Sequence, residues 1–406
     1  MTPKTVHITN AFHETSGGIS TFYRALMTTA QDQGRQIRLI VPAETTRVEA
    51  FNNCAKIYYL AARPAPLGDA RYRCLWAWGR TGRALKEILR TEQPDLVEIA
   101  DKYTLPYLAG LLRRSWVRGL PRKPILIATS HERLDDALRS YTNLGTSGQL
   151  FAKLYMRFAY FPLFDWHVAN SEYTADELFP ASVGHRLYRE LRVLPMGVDC
   201  EVFHPVHRTE EGRCASLRTL DLPCDRKLLI YAGRLSREKN LDLLVGTVRN
   251  LPPDYTLVVA GEGELKEDLK EQLQGRARFT GHMAKADLAG LFAAADAFIH
   301  PNPREPFGIA PLEAMAAALP VVGPPSGGLL SYAHAGNAWL ASPEPEAFAE
   351  AVRAIFRNEE ERTRRTLNAR RTAEEFSWPR IAARFFDLFD EAVERGFPVR
   401  SLQANS

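Results

Sequence analysis

Hydrophobic positions follow two different periods along the chain. Short apolar runs rich in β-branched residues predict buried strands, and the segments between several of them repeat apolar residues every three to four positions, as amphipathic helices do. One such helix is predicted near Ile19–Gln33, with Gly34 as its stop. The strands predicted in the first half are Val6–Thr9, Ile37–Val41, Leu96–Ile99, Ile125–Thr129, Trp166–Ala169 and Arg192–Leu194.

The alternation breaks between about Pro195 and Asp225, where prolines, glycines and charges indicate a linker, and then restarts. The strands predicted after the break are Leu228–Ala232, Thr256–Ala260, Arg278–Thr280, Ala297–His300 and Val321–Val322. Strands that are apolar on both faces and alternate with helices are typical of parallel sheets covered on both sides. We therefore predict an α/β protein with two doubly wound domains and a ligand site in the cleft between them.

Composition narrows the class of protein. The 406 residues are 45% hydrophobic and 25% charged, as in ordinary globular proteins. No apolar run is long enough to span a bilayer and no leader pattern is found at the N-terminus, so we expect a cytoplasmic protein. A net charge of +4 without a basic, aromatic-rich stripe gives no reason to expect nucleic acid as a partner. The five cysteines show no Cys-x-x-Cys pair, so we expect neither a zinc site nor a disulfide.

A glycine pair follows the first predicted strand and opens the first helix. Gly17 and Gly18 would let the backbone approach a ligand, and the N-terminus of the helix would present unpaired amides to an anion. The pair lacks the third glycine of the dinucleotide fingerprint. A plain turn before a helix explains it equally well.

Two cations follow the strand at Leu228–Ala232. Arg234 and Lys239 lie five residues apart, just after Gly233 and before the next helix. An arginine can bind phosphate oxygens through two donors and a lysine acts as a point charge, so the pair suits a diphosphate. Taken alone, such a pair is more often solvated surface charge.

The segment Pro303–Met315 is the most informative part of the sequence. Glu305 precedes a predicted helix and Glu313 lies within it, a little over two turns later. The amides of Phe307 and Gly308 at the start of the helix could receive phosphate oxygens. A buried helix carboxylate without a partner is costly, which indicates that Glu313 serves a ligand or a structural cation.

These motifs together resemble retaining glycosyltransferases of the GT-B fold, most closely glycosyltransferase family four. The resemblance covers nearly the whole chain and is densest from Leu191 to Gly328. The matching segments, besides the two glutamates, are Leu194–Asp199, Ala232–Arg234 with Lys239–Asn240, Val259–Gly263, Phe279–His282, Pro320–Val322, Gly327–Gly328, Gly17–Gly18, His131 and Asn170–Thr174.

The resemblance implies a role for each matching residue. Arg234 and Lys239 would neutralise the leaving diphosphate, Glu313 would bind the ribose, and Glu305 would lie near the hydroxyls of the transferred sugar. The amides of Phe307 and Gly308 would contact phosphate or sugar. Gly233 would keep the loop of the two cations flexible, and Gly17 and Gly18 would bring backbone against the diphosphate. His131 would contact the sugar and stabilise developing positive charge through its main-chain carbonyl; otherwise it is a histidine paired at the end of a strand.

The implied function is transfer of a hexose, with retention, from a nucleoside-diphosphate sugar of the GDP-mannose or UDP-glucose type to a glycan, lipid or small-molecule acceptor. Neither a cofactor nor a divalent metal is expected. Residues 1–195 would bind the acceptor, with a C-terminal helix at about 377–406 packing back on them, and residues 196–376 would bind the donor. A nucleotide-sugar epimerase and a catalytically silent sugar-nucleotide-binding subunit are the alternatives.

Three departures from the family pattern lie near the expected nucleotide site. Ala318 stands where the family usually has glycine, Leu330 and Ser331 replace common proline and glutamate, and Asn337–Leu340 lacks the usual glycine-leucine-leucine-valine pattern.

Two segments of the first half leave a peripheral contact with the inner membrane face open. The basic residues between Arg113 and Lys123 are either a solvated helix end or a membrane contact. The aromatic stretch Tyr155–Trp166 is predicted to pack in the core.

Overall fold

The computed structural model describes residues 2–12, 17–65, 73–141, 145–183 and 190–396. Within it the chain forms two compact units. The first contains the residues up to Met196 together with a helix that starts at Trp378, and the second runs from Gly197 to Ser377.

The first unit is built on a predominantly parallel sheet in the order β10-β9-β8-β7-β1-β2-β4-β3, in which only β3 pairs antiparallel. The short strands β5 and β6 form a separate antiparallel pair. The strands of the unit are β1 Thr5–Thr9, β2 Ile37–Ala43, β3 Arg47–Ala50, β4 Ala55–Ala61, β5 Arg63–Pro64, β6 Arg73–Cys74, β7 Leu96–Ala100, β8 Ile125–Ser130, β9 Trp166–Ala169 and β10 Glu190–Val193. Its helices begin with α1 Gly18–Asp32, α2 Gly79–Glu92, α3 Pro106–Arg113, α4 Leu134–Tyr141, α5 Gly145–Tyr155 and α6 Glu172–Ser182.

The second unit contains a fully parallel sheet in the order β13-β12-β11-β14-β15-β16. The strands are β11 Lys227–Ala232, β12 Tyr255–Ala260, β13 Ala277–Gly281, β14 Ala297–Ile299, β15 Val321–Gly323 and β16 Trp339–Leu340. The helices are α7 Glu210–Thr219, α8 Asp242–Arg249, α9 Lys266–Gln272, α10 Lys285–Ala294, α11 Ile309–Ala316, α12 Pro345–Arg357 and α13 Glu359–Glu375. This strand order is that of a dinucleotide-binding Rossmann sheet, so the predicted α/β class is confirmed.

The last helix, α14 (Trp378–Arg395), packs on α1 of the first unit. The ring of Phe385 lies 4.9 Å from that of Phe22, and Arg35 forms an ion pair with Asp390. One face of α14 is almost fully buried, which an amphipathic helix achieves only against a partner surface.

Two expectations were wrong in the stretch between the sheets. The expected linker contains α7, which begins after the capping residue Thr209. Cys214 in α7 and Cys224 in the following turn form a disulfide, with their Cα atoms 4.9 Å apart. The chain reverses after α7, where Asp221 adopts a left-handed conformation, so residues ten apart in sequence become neighbours.

The aromatic stretch Tyr155–Trp166 is mostly core, as predicted. Tyr160, Phe161, Phe164 and Trp166 are buried, but Phe158 is exposed, so the prediction is wrong for that residue. The basic cluster is partly engaged within the unit. Its arginines at 113 and 122 form ion pairs with Asp165 and Asp95.

No helix among the described residues is both long and apolar enough to cross a bilayer.

Ala318 is held in a left-handed backbone conformation (φ 53°), just after α11 and where the family usually has glycine. This conformation costs an L-residue roughly 1–2 kcal/mol because of steric repulsion, and glycine avoids that cost. Glycine loses more conformational entropy on folding, which offsets part of the gain. We therefore expect Ala318→Gly to raise the midpoint of thermal unfolding by about 2 °C, measured by calorimetry. Ala351→Gly, inside α12, is the control and should lower it. An unchanged or lower midpoint for Ala318→Gly would show that the backbone at Ala318 is not strained.

Candidate functional site

The predicted residues of the second half follow two neighbouring strands. The order of strands reverses between β11 and β14, and in sheets of this kind ligands bind beyond the carboxyl ends of the strands at that point. The loop after β11 carries Gly233, Arg234 and Lys239, and the loop after β14 carries Glu305. The fold therefore brings the cations and the first glutamate to one edge of the sheet.

Lys239 and Glu305 form a largely buried ion pair. The Nζ atom of Lys239 lies 2.8 and 3.1 Å from the two carboxylate oxygens of Glu305, and Asn302 donates a further hydrogen bond at 3.1 Å. Burial alone would raise the pKa of Glu305, but the charge of Lys239 and the hydrogen bonds from Lys239 and Asn302 together outweigh it and lower the pKa to about 2. Glu305 is therefore held as a carboxylate that only accepts hydrogen bonds.

Phe307 and Gly308 occupy the start of α11, as predicted. Gly308 caps the helix with a left-handed backbone (φ 85°), which favours glycine. The hydroxyl of Tyr332 donates a hydrogen bond to the carbonyl of Gly308, and the ring of Phe307 packs on that of Tyr332. The segment around Tyr332 thus packs against the end of the loop that carries Glu305 and stabilises it.

The close packing of this segment against the glutamate loop requires a glycine at position 328. Its amide donates to the main-chain carbonyl of Glu305 at 2.7 Å. A Cβ atom there would lie 2.0 Å from the carbonyl oxygen of Pro306, a distance that no side chain tolerates. Any larger residue would push the glutamate loop away.

Glu313 sits in a different environment, inside α11. Burial of its carboxyl group raises its pKa to about 7, although Lys285 opposes the shift. Lys285 itself forms an ion pair with Asp199 at 2.8 Å. In the part of the chain that the structure describes, no group donates a hydrogen bond to the side chain of Glu313. The carboxyl group therefore has acceptor capacity for a ligand.

Arg234 is the more exposed of the two cations. Its side chain is 51% exposed, and its guanidinium lies 3.7 Å from Glu238. The Tyr231 hydroxyl holds the loop by donating to the main-chain carbonyl of Arg234 at 2.8 Å. The loop packs so closely on the β12 loop that a Cβ on Gly261 would lie 1.9 Å from the carbonyl oxygen of Gly233.

Sequence reasoning missed three supporting residues. Asn302 and Tyr332 hold the glutamate loop, as described above. His300, at the end of β14, is buried, and its Nε2 atom has no hydrogen-bond partner among the described residues. Burial lowers the pKa of His300 to about 4, so the ring is neutral at pH 7. His300 ends the predicted strand Ala297–His300 and Asn302 lies two residues beyond it, and this place at the carboxyl end of a strand was the available signal.

His131 follows β8 in the first unit. Its ring lies edge-on to Phe22 at 5.7 Å, and both ring nitrogens are shielded from water without a partner in the described residues. Burial lowers its pKa to about 4, so the ring is neutral at pH 7. Its main-chain carbonyl accepts a long hydrogen bond of 3.4 Å from Asn170. Unpaired buried polar atoms of this kind cost stability and concentrate at functional sites.

Gly17 and Gly18 open α1, the helix that also carries Phe22. Gly17 is the residue before the helix, and a Cβ atom added to it would meet no atom within 4 Å. The backbone is therefore open on that side. Ser16, the residue before the pair, lies outside the described residues.

Comparison with known proteins shows the family. The family profile described as Glycosyltransferase Family 4 matches residues 16–202, and the profile described as Glycosyl transferases group 1 matches residues 216–372. The chain belongs to glycosyltransferase family four. A GDP-mannose-dependent alpha-(1-6)-phosphatidylinositol dimannoside mannosyltransferase from Mycobacterium tuberculosis is 31% identical to this glycosyltransferase over 392 residues, 94% of each chain.

Solved structures show the same fold at low identity. Sucrose-phosphate synthase from Thermosynechococcus elongatus matches with a TM-score of 0.75 at 18% identity, covering 97% of this chain and 100% of that one. HepE from Anabaena in complex with UDP matches with a TM-score of 0.71 at 17% identity, covering 96% and 100%. The glycosyltransferase therefore has the GT-B fold.

The depressed pKa of Glu305 predicts an acid-sensitive contribution to stability. The pKa is about 2 in the folded protein against 4.5 ordinarily, so the carboxylate stabilises the fold above about pH 4.5 and loses this effect as the pH falls towards 2. We expect Glu305→Gln to lower the free energy of unfolding at pH 7 by on the order of 3 kcal/mol. The difference from wild type should shrink between pH 4.5 and 2.

Denaturant titrations at several pH values measure this difference. Glu271→Gln, an exposed glutamate of α9, is the matched control and should behave like wild type throughout. A difference for Glu305→Gln that stays constant with pH would show that the ion pair does not hold the carboxylate ionised.

Proposed function

We propose that this glycosyltransferase transfers a hexose from a nucleoside-diphosphate sugar to a hydroxyl group, with retention of the anomeric configuration. The observation that supports this most is the grouping of Arg234, Lys239 and Glu305 where the strand order of a Rossmann sheet reverses, with Glu313 about one turn into the adjoining helix α11. The cations suit the diphosphate of a nucleotide sugar, and the carboxylates suit the hydroxyl groups of its sugar and ribose.

The two cations would act on the leaving group. Breaking the bond between the sugar and the diphosphate leaves negative charge on phosphate oxygens, and fixed positive groups aimed at that charge are usually the largest source of rate enhancement. Arg234 is exposed enough to reach a ligand. Lys239 is held by Glu305, so its charge is already oriented before the donor binds. We propose that this arrangement works without a divalent metal.

The two glutamates would bind hydroxyl groups of the donor. An ionised carboxylate accepts hydrogen bonds without donating any. Glu305 is in this state over the whole physiological range, which suits the hydroxyls of the transferred sugar. Glu313 would accept the ribose hydroxyls, whose hydrogen bonds would stabilise its ionised form.

The remaining predicted residues would orient the donor. The amides of Phe307 and Gly308, at the start of α11, would contact phosphate or sugar. In the first unit, the backbone at Gly17 and Gly18 would approach the diphosphate. His131, neutral at pH 7, would contact the sugar, and its main-chain carbonyl would stabilise positive charge at the reacting carbon.

The proposed route is displacement on the face from which the diphosphate leaves. The bond from the anomeric carbon to the phosphate oxygen breaks, and the bond to the acceptor oxygen forms on the same face. The departing phosphate oxygen takes the proton of the acceptor hydroxyl. Atoms and charge balance without a further reactant, since the proton neutralises one charge of the nucleoside diphosphate.

GDP-mannose is the first donor to test, and a membrane lipid with free hydroxyls is the first acceptor. The mycobacterial relative is named for GDP-mannose and a phosphatidylinositol dimannoside, and it matches 94% of this chain. UDP-glucose is the second donor, because HepE was solved with it. We propose that the acceptor binds to residues of the first unit.

Arg234→Ala should lower the rate of transfer by about 10²–10³-fold, since it removes one positive group from the leaving diphosphate. The measurement is product formation from a radiolabelled nucleotide sugar at saturating acceptor. Arg237→Ala is the matched control, because this exposed arginine lies on the same loop.

Full activity of Arg234→Ala with every donor would contradict the proposal. Epimerised sugar, or free nucleotide released at the same rate without any acceptor, would instead favour the epimerase alternative. Donor binding with no turnover over a broad acceptor panel would favour the silent subunit.

Donor affinity should depend on pH through Glu313. Its pKa is about 7 without ligand, so the carboxylate that accepts the ribose hydroxyls becomes more populated as the pH rises from 6 to 8. We expect the dissociation constant of the nucleotide sugar to fall over this range, measured by calorimetry. The diphosphate of the nucleotide sugar carries a substituent at both ends and therefore does not titrate between pH 6 and 8.

Glu313→Gln is the control for this dependence, since glutamine keeps the size but cannot ionise. It should bind the donor more weakly at pH 8 and show little change with pH. An equal pH dependence in the variant and in wild type would show that another group is responsible.

A further inference from the structure

An apolar stripe faces solvent along α5 and the π-helical turn Met156–Tyr160 that continues it. The exposed side chains on this stripe are Leu150, Phe151, Leu154 and Phe158, and Phe158 is 69% exposed. The opposite side of the same helix is buried at Gly148, Ala152, Met156 and Tyr160. A surface helix normally has one apolar face, so the second one lacks its partner.

The exposed stripe continues into a cluster of aromatic residues. Trp78, 51% exposed, packs against Tyr107 with the ring centroids 5.3 Å apart, and Trp76 packs on Trp78. Trp116 is 64% exposed beside Arg114. We call this set, together with the stripe on α5, the aromatic surface.

A groove of about 390 Å³ joins the two parts of the aromatic surface. Its apolar lining includes Trp78, Tyr107 and Leu111 from one part and Phe158 from the stripe, together with Leu163. Arg114 also lines it. Apolar walls with a single cation suit an amphiphile that has a hydrocarbon part and an anionic part.

The segments that carry the aromatic surface contain charges of one sign only. The three segments that carry it, residues 73–86, 106–123 and 145–164, hold eleven of the 52 Lys and Arg residues and none of the 48 Asp and Glu residues. The rest of the chain therefore has 41 basic and 48 acidic residues. Three of the eleven are engaged in ion pairs with acids outside these segments, at positions 73, 113 and 122.

We propose that the aromatic surface docks on the interface of an anionic phospholipid bilayer. Tryptophan and tyrosine favour the boundary between headgroups and hydrocarbon, and each basic residue near an anionic leaflet adds to the affinity. The groove takes lipid hydrocarbon while Arg114 faces a lipid phosphate. This inference rests on the proposed function, because it brings the first unit to a membrane that carries a lipid acceptor.

Two other partners fit the surface less well. A second copy of this chain would place one basic surface against another, and like charges across an interface are unfavourable. A single-stranded nucleic acid would use the cations and aromatic rings but would leave the leucines of α5 without a role. Both are outcomes of the test below.

Vesicle binding tests the proposal. The probes are sedimented vesicles of phosphatidylcholine alone and of equal parts phosphatidylcholine and phosphatidylglycerol. We expect the wild type to bind the mixed vesicles at least tenfold more tightly. Trp78→Ser/Phe158→Ser should lower that affinity at least tenfold, and Arg114→Glu should do the same. Leu367→Ser and Arg364→Glu, exposed positions of α13, are the matched controls and should have no effect.

Three results would overturn the proposal. The first is equal binding to both kinds of vesicle, or to neither. The second is loss of binding in Arg114→Glu with no effect of the aromatic double variant, which would show a purely electrostatic contact. The third is dimer formation, or tight binding of a single-stranded oligonucleotide, that the aromatic double variant abolishes while vesicle binding remains.

Two further measurements separate this inference from the donor site. The aromatic double variant should bind the nucleotide sugar as the wild type does, which also shows that it is folded. Arg234→Ala should lose transfer but keep its affinity for mixed vesicles. A failure of the donor-site proposal and a failure of membrane docking therefore give different results.

Discussion

The ion pair between Lys239 and Glu305 joins the two loops on which the donor site depends. Each loop follows a different strand, β11 or β14, and the pair holds them together at the sheet edge, with a further hydrogen bond from the side chain of Asn240 to the main-chain carbonyl of Pro301. Breaking a buried pair by removing one partner leaves an uncompensated charge and is costly. The loops therefore keep their spacing before any ligand arrives, and the site is organised in advance for a charged donor.

The two glutamates of the same segment show how position alone separates their chemistry. Both carboxyl groups are largely shielded from water, which by itself raises the pKa of a carboxyl group. Glu305 gains a lysine and an asparagine as partners, so its pKa falls to about 2. Glu313 lies eight residues later, in α11. No described residue donates a hydrogen bond to its side chain, and burial raises its pKa to about 7. One carboxylate is permanently ionised, and the other is ready to be ionised by a ligand.

Most of the strands and the grouping of the motifs could be predicted from the sequence. The strands are short buried apolar runs, and the motifs follow them directly, so the parallel sheet brings them together. The disulfide could not be predicted, because a chain reversal rather than a spacing pattern makes Cys214 and Cys224 neighbours. Phe158 could not be placed either, since both faces of its helix are apolar and only the fold decides which one is buried.

The titration of the two glutamates tests the account most directly. Carbon-13 NMR of glutamate side chains, assigned with Glu305→Gln and Glu313→Gln, gives both pKa values with and without the nucleotide sugar. The account predicts a pKa near 2 for Glu305 and near 7 for Glu313, with a clear fall in the pKa of Glu313 when the donor binds. Two glutamates that both titrate near the ordinary value, and do not respond to the donor, would contradict it.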